Sequence, residues 1–273
     1  MKPQLAEELR SALSPRDLAI LTDIDRFRFL STRQIQRLHF SGSGAHASLQ
    51  GATRAAHRVL HRLQLARLIT AIERRIGGPE RGSAGFLWQL DERGAGVLHL
   101  GAEVARKRLR EPSSGMFVRH TVAIAELAVA LTETIRSTEL ELVELQPEPA
   151  SWRSFLGGYG QAESLRPDLY VVVANEQFEQ HAFVEIDQAT EHQPQILRKC
   201  HVYARYVATG AAEKQDGVVP QVLWVTTTKA RSAALQRMIA SDPKLPSELF
   251  RVVLDSAAAE AIIAGLNEEA PTS

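Results

Sequence analysis

Three acidic residues lie in or beside apolar β-type runs: Asp168 just ahead of residues 169–173, and Glu185 and Asp187 around the end of residues 182–186. A carboxylate in such a setting needs a partner, because burying it alone is costly. Lys199 and, four residues later, Tyr203 follow on an apolar-periodic segment. Two strands that bring acids to one point would make a Mg²⁺-dependent phosphodiesterase site, in which carboxylates hold a hard cation that activates water and neutralises phosphate charge. The plainer alternative is structural: Asp168 caps the turn after Pro167 or pairs with Arg166, and Glu185 is an ordinary strand-end acid. The order strand, strand, helix favours the site.

The elements that must position these groups alternate cleanly. Residues 120–135 carry a helical period, 140–145 read as a strand, and 147–160 form a Pro- and Gly-rich excursion. Strands at 169–173 and 182–186 are joined by the hairpin-like Ala174-Asn175-Glu176, then come a helix at 193–207, a buried strand at 221–225, a helix at 230–239 and a last strand at 250–254. The pattern predicts a mixed α/β half built around one sheet. The residues after Asp255 are Ala-rich and predict a short helix to Leu266 and a frayed end.

The formal charge of zero conceals an asymmetry. Residues 1–112 hold 19 Lys and Arg against 11 Asp and Glu, whereas residues 113–273 hold 13 against 21. Between Ser31 and Arg81, nine arginines (33, 37, 54, 58, 62, 67, 74, 75 and 81) face only Glu73 and Glu80. A basic front half on an acidic back half points to a nucleic-acid reader joined to something else, with a solvated basic face as the alternative. Helical periods run through 16–30, a short stretch capped by Ser31 and holding Ile35 and Leu38, and 52–66. On the last of these, Arg54, Arg58 and Arg62 recur every four residues as one stripe. Residues 68–74 and 86–90 then read as a two-stranded ribbon, and 106–115 as a polar break between a domain at 1–112 and another at 113–273.

Three helices followed by such a ribbon resemble a winged helix-turn-helix. That resemblance implies a third helix in the major groove and a wing on backbone phosphate. It assigns DNA contacts to Arg33, Thr53, Arg54, His57, Arg58, His61 and Arg62, and to Arg74, Arg75 and Arg81 on the wing. His57 and His61 also have the spacing of a helical metal pair, but the surrounding arginines would repel a cation. The second half resembles the PD-(D/E)XK nuclease fold: Pro167-Asp168 matches the first part of its motif, and Glu185-Ile186-Asp187 the second except that Asp187 stands in place of the lysine. The resemblance implies Asp168, Glu185, Asp187 and Lys199 as catalytic residues, with Lys199 as a displaced lysine. It implies Asp168 and Glu185 as Mg²⁺ ligands, with Glu126 as an additional one. An ion pair between Lys199 and Asp187 is the competing structural use of those two residues.

Taken together, the winged-helix pattern, His120, Arg166-Pro167-Asp168, the run from Glu185 to Glu191, Lys199 and Tyr203 resemble the replication-relaxation family over about residues 16–254. That family is associated with plasmids and other mobile elements. The expected partners are double-stranded DNA, a relaxase or replication initiator, and a second copy in a homodimer. The expected reaction is Mg²⁺-dependent nicking or cleavage of DNA; the alternative is a non-catalytic replication or transcription regulator that keeps the nuclease fold for dimerisation or docking.

The remaining features bound these readings. Cys200 is the one cysteine in 273 residues, which excludes an intrachain disulfide and a thiolate metal cluster. No stretch offers the uninterrupted apolar residues of a membrane span, and the start is polar, so a cytoplasmic protein without a membrane partner is expected.

Overall fold

The structure is a computed structural model that describes residues 3–41, 48–72, 86–100, 114–189 and 192–267. It is mixed α/β and divides into two compact units, Met1–Val129 and Ala130–Ser273. The division falls within a helix, after the polar break at which the sequence suggests a boundary.

In the first unit, α1 (Pro3–Ser11) and α2 (Pro15–Phe27) precede β1 (Leu30–Ser31), α3 (Thr32–His39) and α4 (Leu49–Leu65). Serines start three of these helices. Ser14 and Ser31 each form a capping box, with Asp17 and Gln34 respectively, and the Ser48 hydroxyl accepts from Gly51 N at 3.1 Å. Each box satisfies amide donors that the first helical turn leaves open. Ile20, Leu21, Ile24, Ile35, Leu60 and Leu63 meet no solvent, so the apolar period expected for α2 to α4 faces one core.

β2 (Ile69–Ile72) and β3 (Leu87–Leu90) form the expected antiparallel ribbon, and β1 adds a third strand in the order β1-β3-β2. The two-residue β1 is too short to carry an alternation pattern, so the sequence does not announce it. α5 (Glu92–Leu98) then packs so closely that a Cβ on Gly94 would lie 2.0 Å from the Leu68 carbonyl oxygen. The ribbon tip, with Arg74, Arg75 and Arg81, lies outside the described residues, as do His46 and Glu191.

α6 (Gly115–Arg136) is long and apolar enough by composition to span a membrane, although Arg119, His120, Glu126 and Glu133 interrupt its apolar residues. Ile124, Ala125, Ala128, Val129 and Leu131 are nonetheless buried within the chain, so its apolar side is a core face.

The second unit is organised by β4 (Glu141–Pro147), β5 (Arg153–Leu156), β6 (Ala162–Leu165), β7 (Leu169–Ala174), β8 (Glu179–Asp187), α7 (Gln193–Ala208), α8 (Ala211–Asp216), β9 (Gln221–Thr226), α9 (Lys229–Ala240), β10 (Phe250–Leu254) and α10 (Ala258–Asn267). Five strands make one sheet in the order β10-β9-β8-β7-β4. β4, β7 and β8 are antiparallel neighbours, while β8, β9 and β10 run parallel. The Pro- and Gly-rich excursion at 147–160 holds β5 and most of the turn of the β5–β6 hairpin, and β6 follows it. Its glycines are confined to the turn, where Gly157 N donates to Gln161 O at 2.8 Å, and the flanking residues pair as strands.

One face of the sheet packs Tyr170, Val172, Phe183, Val222 and Trp224 against Ile196, Cys200, Tyr203 and Tyr206 of α7. Cys200 is fully buried there, and burial pushes its thiol up to about 12, which fits a packing residue and not a nucleophile.

Candidate functional site

Strand register brings Asp168 and Glu185 together. Leu169 pairs with Val184 in the β7–β8 ladder, and Asp168 N continues it by donating to Val184 O at 3.1 Å. Asp168 thus stands opposite Glu185, one step beyond the last ladder pair. Its carboxylate turns to the neighbouring strand, where Oδ2 accepts from Ile186 N at 2.7 Å. Arg166, the partner suggested by sequence proximity, instead stacks over Trp152 with its guanidinium carbon 4.9 Å from the ring centroid.

Glu185 is the most enclosed of the acids, at 1% exposure. Lys199 Nζ lies 2.9 Å from its Oε2, and the Tyr203 hydroxyl donates to its Oε1 at 2.7 Å. The spacing of four residues puts both partners on one face of α7, which explains why the sequence carries them as a pair. Burial and the neighbouring Asp168 charge push Glu185 up to about 7, against the opposing pull of Lys199 and Tyr203. The Tyr203 phenol is raised well above its usual value by burial and by the Glu185 charge.

Asp187 follows two residues after Glu185, hence on the same face of β8. It is 3% exposed and holds Arg231 by two bonds, Oδ2 to Nε at 2.6 Å and Oδ1 to a terminal nitrogen at 3.2 Å. Oδ1 also accepts from Ala189 N at 3.0 Å. Arg231 is the residue that sequence reasoning missed. It sits in the first turn of α9, whose N-cap is Thr228, and a separation of 44 positions along the chain hides its link to Asp187.

Asp168 and Glu185 offer the hard oxygen atoms that a divalent cation takes, and such an ion would have to share Glu185 with Lys199 and Tyr203, which already occupy both of its oxygens. Among the described residues, no group of three or more His, Cys, Asp or Glu side chains completes an all-protein cage. A cation there would therefore draw its other ligands from water, substrate or backbone oxygen, as Mg²⁺ commonly does.

Glu126, expected as an additional ligand, belongs to the first unit. There it forms an ion pair with Arg37 and accepts from Gln34 Nε2 at 3.1 Å. These bonds tie α6 to α3.

On α4, Arg54, His57, Arg58 and His61 are exposed, and Thr53 is half-buried with its hydroxyl on Leu49 O at 2.8 Å. Arg33 is exposed on α3. Arg62 also reaches the surface, but it bonds the buried Asp17 at 2.6 Å, so part of its charge serves the fold. Burial opposes ionisation of Asp17, yet hydrogen bonds from Ser14 and Arg62 outweigh it and hold the carboxyl below its ordinary value.

The fold and these two faces define a two-unit α/β protein with an arginine-bearing helical surface in one unit and a buried, lysine-bound acidic pair at a strand end of the other. The chain belongs to the replication-relaxation family, whose model matches residues 21–222, a span that includes the acidic pair and Lys199 but ends before Arg231. That membership supports a role in replication or relaxation of plasmid or other mobile-element DNA. No curated protein matches the chain.

Proposed function

We propose that the protein binds double-stranded DNA through α4 and cuts or nicks a DNA strand at the Asp168–Glu185 site with Mg²⁺. The carrying observation is the placement of Asp168 opposite Glu185 with Lys199 bonded to the latter. The strand order and the position of both acids support a PD-(D/E)XK-like reading of the second unit. Three helices followed by an antiparallel ribbon support a winged-helix reading of the first.

In this proposal Asp168 and Glu185 hold the cation. When bound, Mg²⁺ supplies Lewis acidity toward water and the phosphate. Lys199 contributes positive charge next to Glu185, where it can stabilise the charge that builds on phosphorus oxygens. The Asp187–Arg231 pair occupies the position of the motif lysine and keeps the strand-end carboxylate neutralised. Tyr203 fixes the second oxygen of Glu185 and so its orientation. A DNA-processing role of this kind would be carried out in the cytoplasm.

Supercoiled plasmid incubated with the protein and Mg²⁺ or Mn²⁺ tests the reading: conversion to nicked circles or linear DNA is expected, and Asp168→Asn should abolish it. Intact plasmid at all protein concentrations would refute cleavage.

A second reading has its own support. Glu185 and Asp187 are already satisfied by Lys199, Tyr203 and Arg231, which is how a structural polar network would look. In that case the second unit serves docking to a replication initiator, a relaxase or another copy, and Asp168→Asn leaves DNA binding and plasmid topology unchanged.

A further inference from the structure

We infer that the outward face of the β5–β6 hairpin is a platform for a single-stranded stretch of DNA leading to the acidic pair. The inference rests on the DNA-processing role proposed above and specifies its substrate as a strand with unpaired bases.

Residues alternate along both strands. Arg153, Phe155 and Leu165 turn inward, where Phe155 and Leu165 join the core under α7. Trp152, Ser154, Leu156, Ala162, Ser164 and Arg166 turn outward and are exposed. No carboxylate lies among these six, although residues 113–273 carry 21 acids against 13 bases. Glu163, the acid within the hairpin, points the other way and is held by Arg205 at 2.7 Å. The face is therefore compatible with a phosphate backbone in a half that otherwise repels one.

Its chemistry is that of base stacking. Trp152 and Arg166 flank the Arg153–Leu165 pair at the open end of the hairpin, with the guanidinium 4.9 Å from the indole centroid, and Trp152 remains 39% exposed with that partner in place. Arg166 also donates from Nε to Ser164 Oγ at 3.4 Å, which fixes its direction along the face. The small side chains of Ser154, Ala162 and Ser164 leave room for a base to lie flat, and Leu156, at 66% exposure, gives a second apolar contact farther along. An exposed aromatic ring with an arginine beside it is the stacking element that sequence-tolerant single-strand binding uses. A duplex keeps its bases stacked on one another and offers this surface only its backbone.

The hairpin leads directly into the strand that follows Asp168. Arg166 is two residues from Asp168, and the Ser151 hydroxyl, next to Trp152, donates to Pro167 O at 2.6 Å. The platform is thereby anchored to the backbone that carries the first acid.

Intrinsic fluorescence provides the test, because Trp88 and Trp224 are buried at 5% and 1% while Trp152 is exposed. Full-length protein is titrated with an oligothymidylate in EDTA, so that neither metal nor cleavage is involved. Saturable quenching is expected, with a duplex of equal length giving little. Trp152→Phe should lose the signal but keep affinity by anisotropy of a labelled strand. Trp152→Ala should weaken binding about 5- to 150-fold, the range for loss of one stacked base. Ser154→Glu, a surface change that puts a carboxylate on the face, should weaken binding at least 5-fold. Equal quenching by duplex, or wild-type affinity in both Trp152→Ala and Ser154→Glu, would overturn the inference. Failure of plasmid cleavage with quenching intact would remove the nuclease proposal and leave the platform.

Discussion

Asp168 stands opposite Glu185 across the β7–β8 ladder, and each answers to a different element: Asp168 accepts the Ile186 amide of β8, and Glu185 accepts Lys199 and Tyr203 of α7. The site is therefore set by a strand register and by one helix face, and both can be perturbed separately.

The first consequence concerns pH. Glu185 titrates at about 7 in the folded chain, whereas a carboxyl in an unfolded chain titrates near its ordinary value. The folded state thus holds the proton more tightly. The stabilising contribution is complete below the ordinary carboxyl range, shrinks as pH rises toward about 7, and is gone above it. Thermal melting of wild type and Glu185→Gln between those limits should show wild type losing ground to the variant as pH rises. Parallel profiles would contradict this assignment of the titration.

The Asp187–Arg231 pair offers a stability test. Arg231→Met leaves Asp187 buried without its cation, and breaking a buried pair from one side costs about 3–5 kcal/mol. Adding Asp187→Asn to that variant should recover most of the loss. Urea denaturation of the two single variants and the double variant gives the coupling, and strictly additive costs would mean that the two residues act independently.

On α4 the arginines should separate by role. Arg62→Ala removes a partner of the buried Asp17 and should lower stability by about 1 kcal/mol, the upper end for an ion pair with one exposed partner. Arg54→Ala and Arg58→Ala touch exposed side chains and should alter stability by less than about 0.5 kcal/mol. If both contact phosphate, the double variant should reduce the salt slope of duplex binding by about 2. An unchanged slope would move the DNA contact off this helix.

Gly94 tests the close approach in the first unit. A methyl group there would meet the Leu68 carbonyl oxygen at 2.0 Å, so Gly94→Ala should destabilise by about 1–3 kcal/mol through overpacking. Wild-type melting of that variant would show that α5 can shift aside without cost.

Much of this architecture was legible because it is written in local patterns. Ser31 with Gln34 announced the start of α3, and the apolar runs around Asp168 and Glu185 announced β7 and β8. The spacing of Lys199 and Tyr203 placed both on one side of α7, and both meet Glu185. What escaped was nonlocal or compositionally disguised. Arg231 reaches Asp187 from a helix beyond another strand, so no window of sequence contains both. The suggested pairing of Lys199 with Asp187 put the right charges on the wrong strand position: the described bonds are Lys199 to Glu185 and Arg231 to Asp187. The β5–β6 hairpin was hidden by glycines that belong to its turn. For Glu126, whose ligand role rested on a resemblance, sequence alone gave no sign of Arg37 and Gln34 beside it.

The ladder that joins β7 to β8 closes through a short turn in which Asn175 N donates to Phe178 O at 3.0 Å and the Asn175 side chain accepts from Gln177 N and Phe178 N. Side chains on a strand alternate sides, so adding or deleting a single residue in that turn would send Glu185 and Asp187 to the opposite side of the sheet, away from Lys199, Tyr203 and Arg231. Relatives that use this site should therefore tolerate almost any exposed side chain at the turn while keeping its length fixed, and a chain that has changed that length has given up the site.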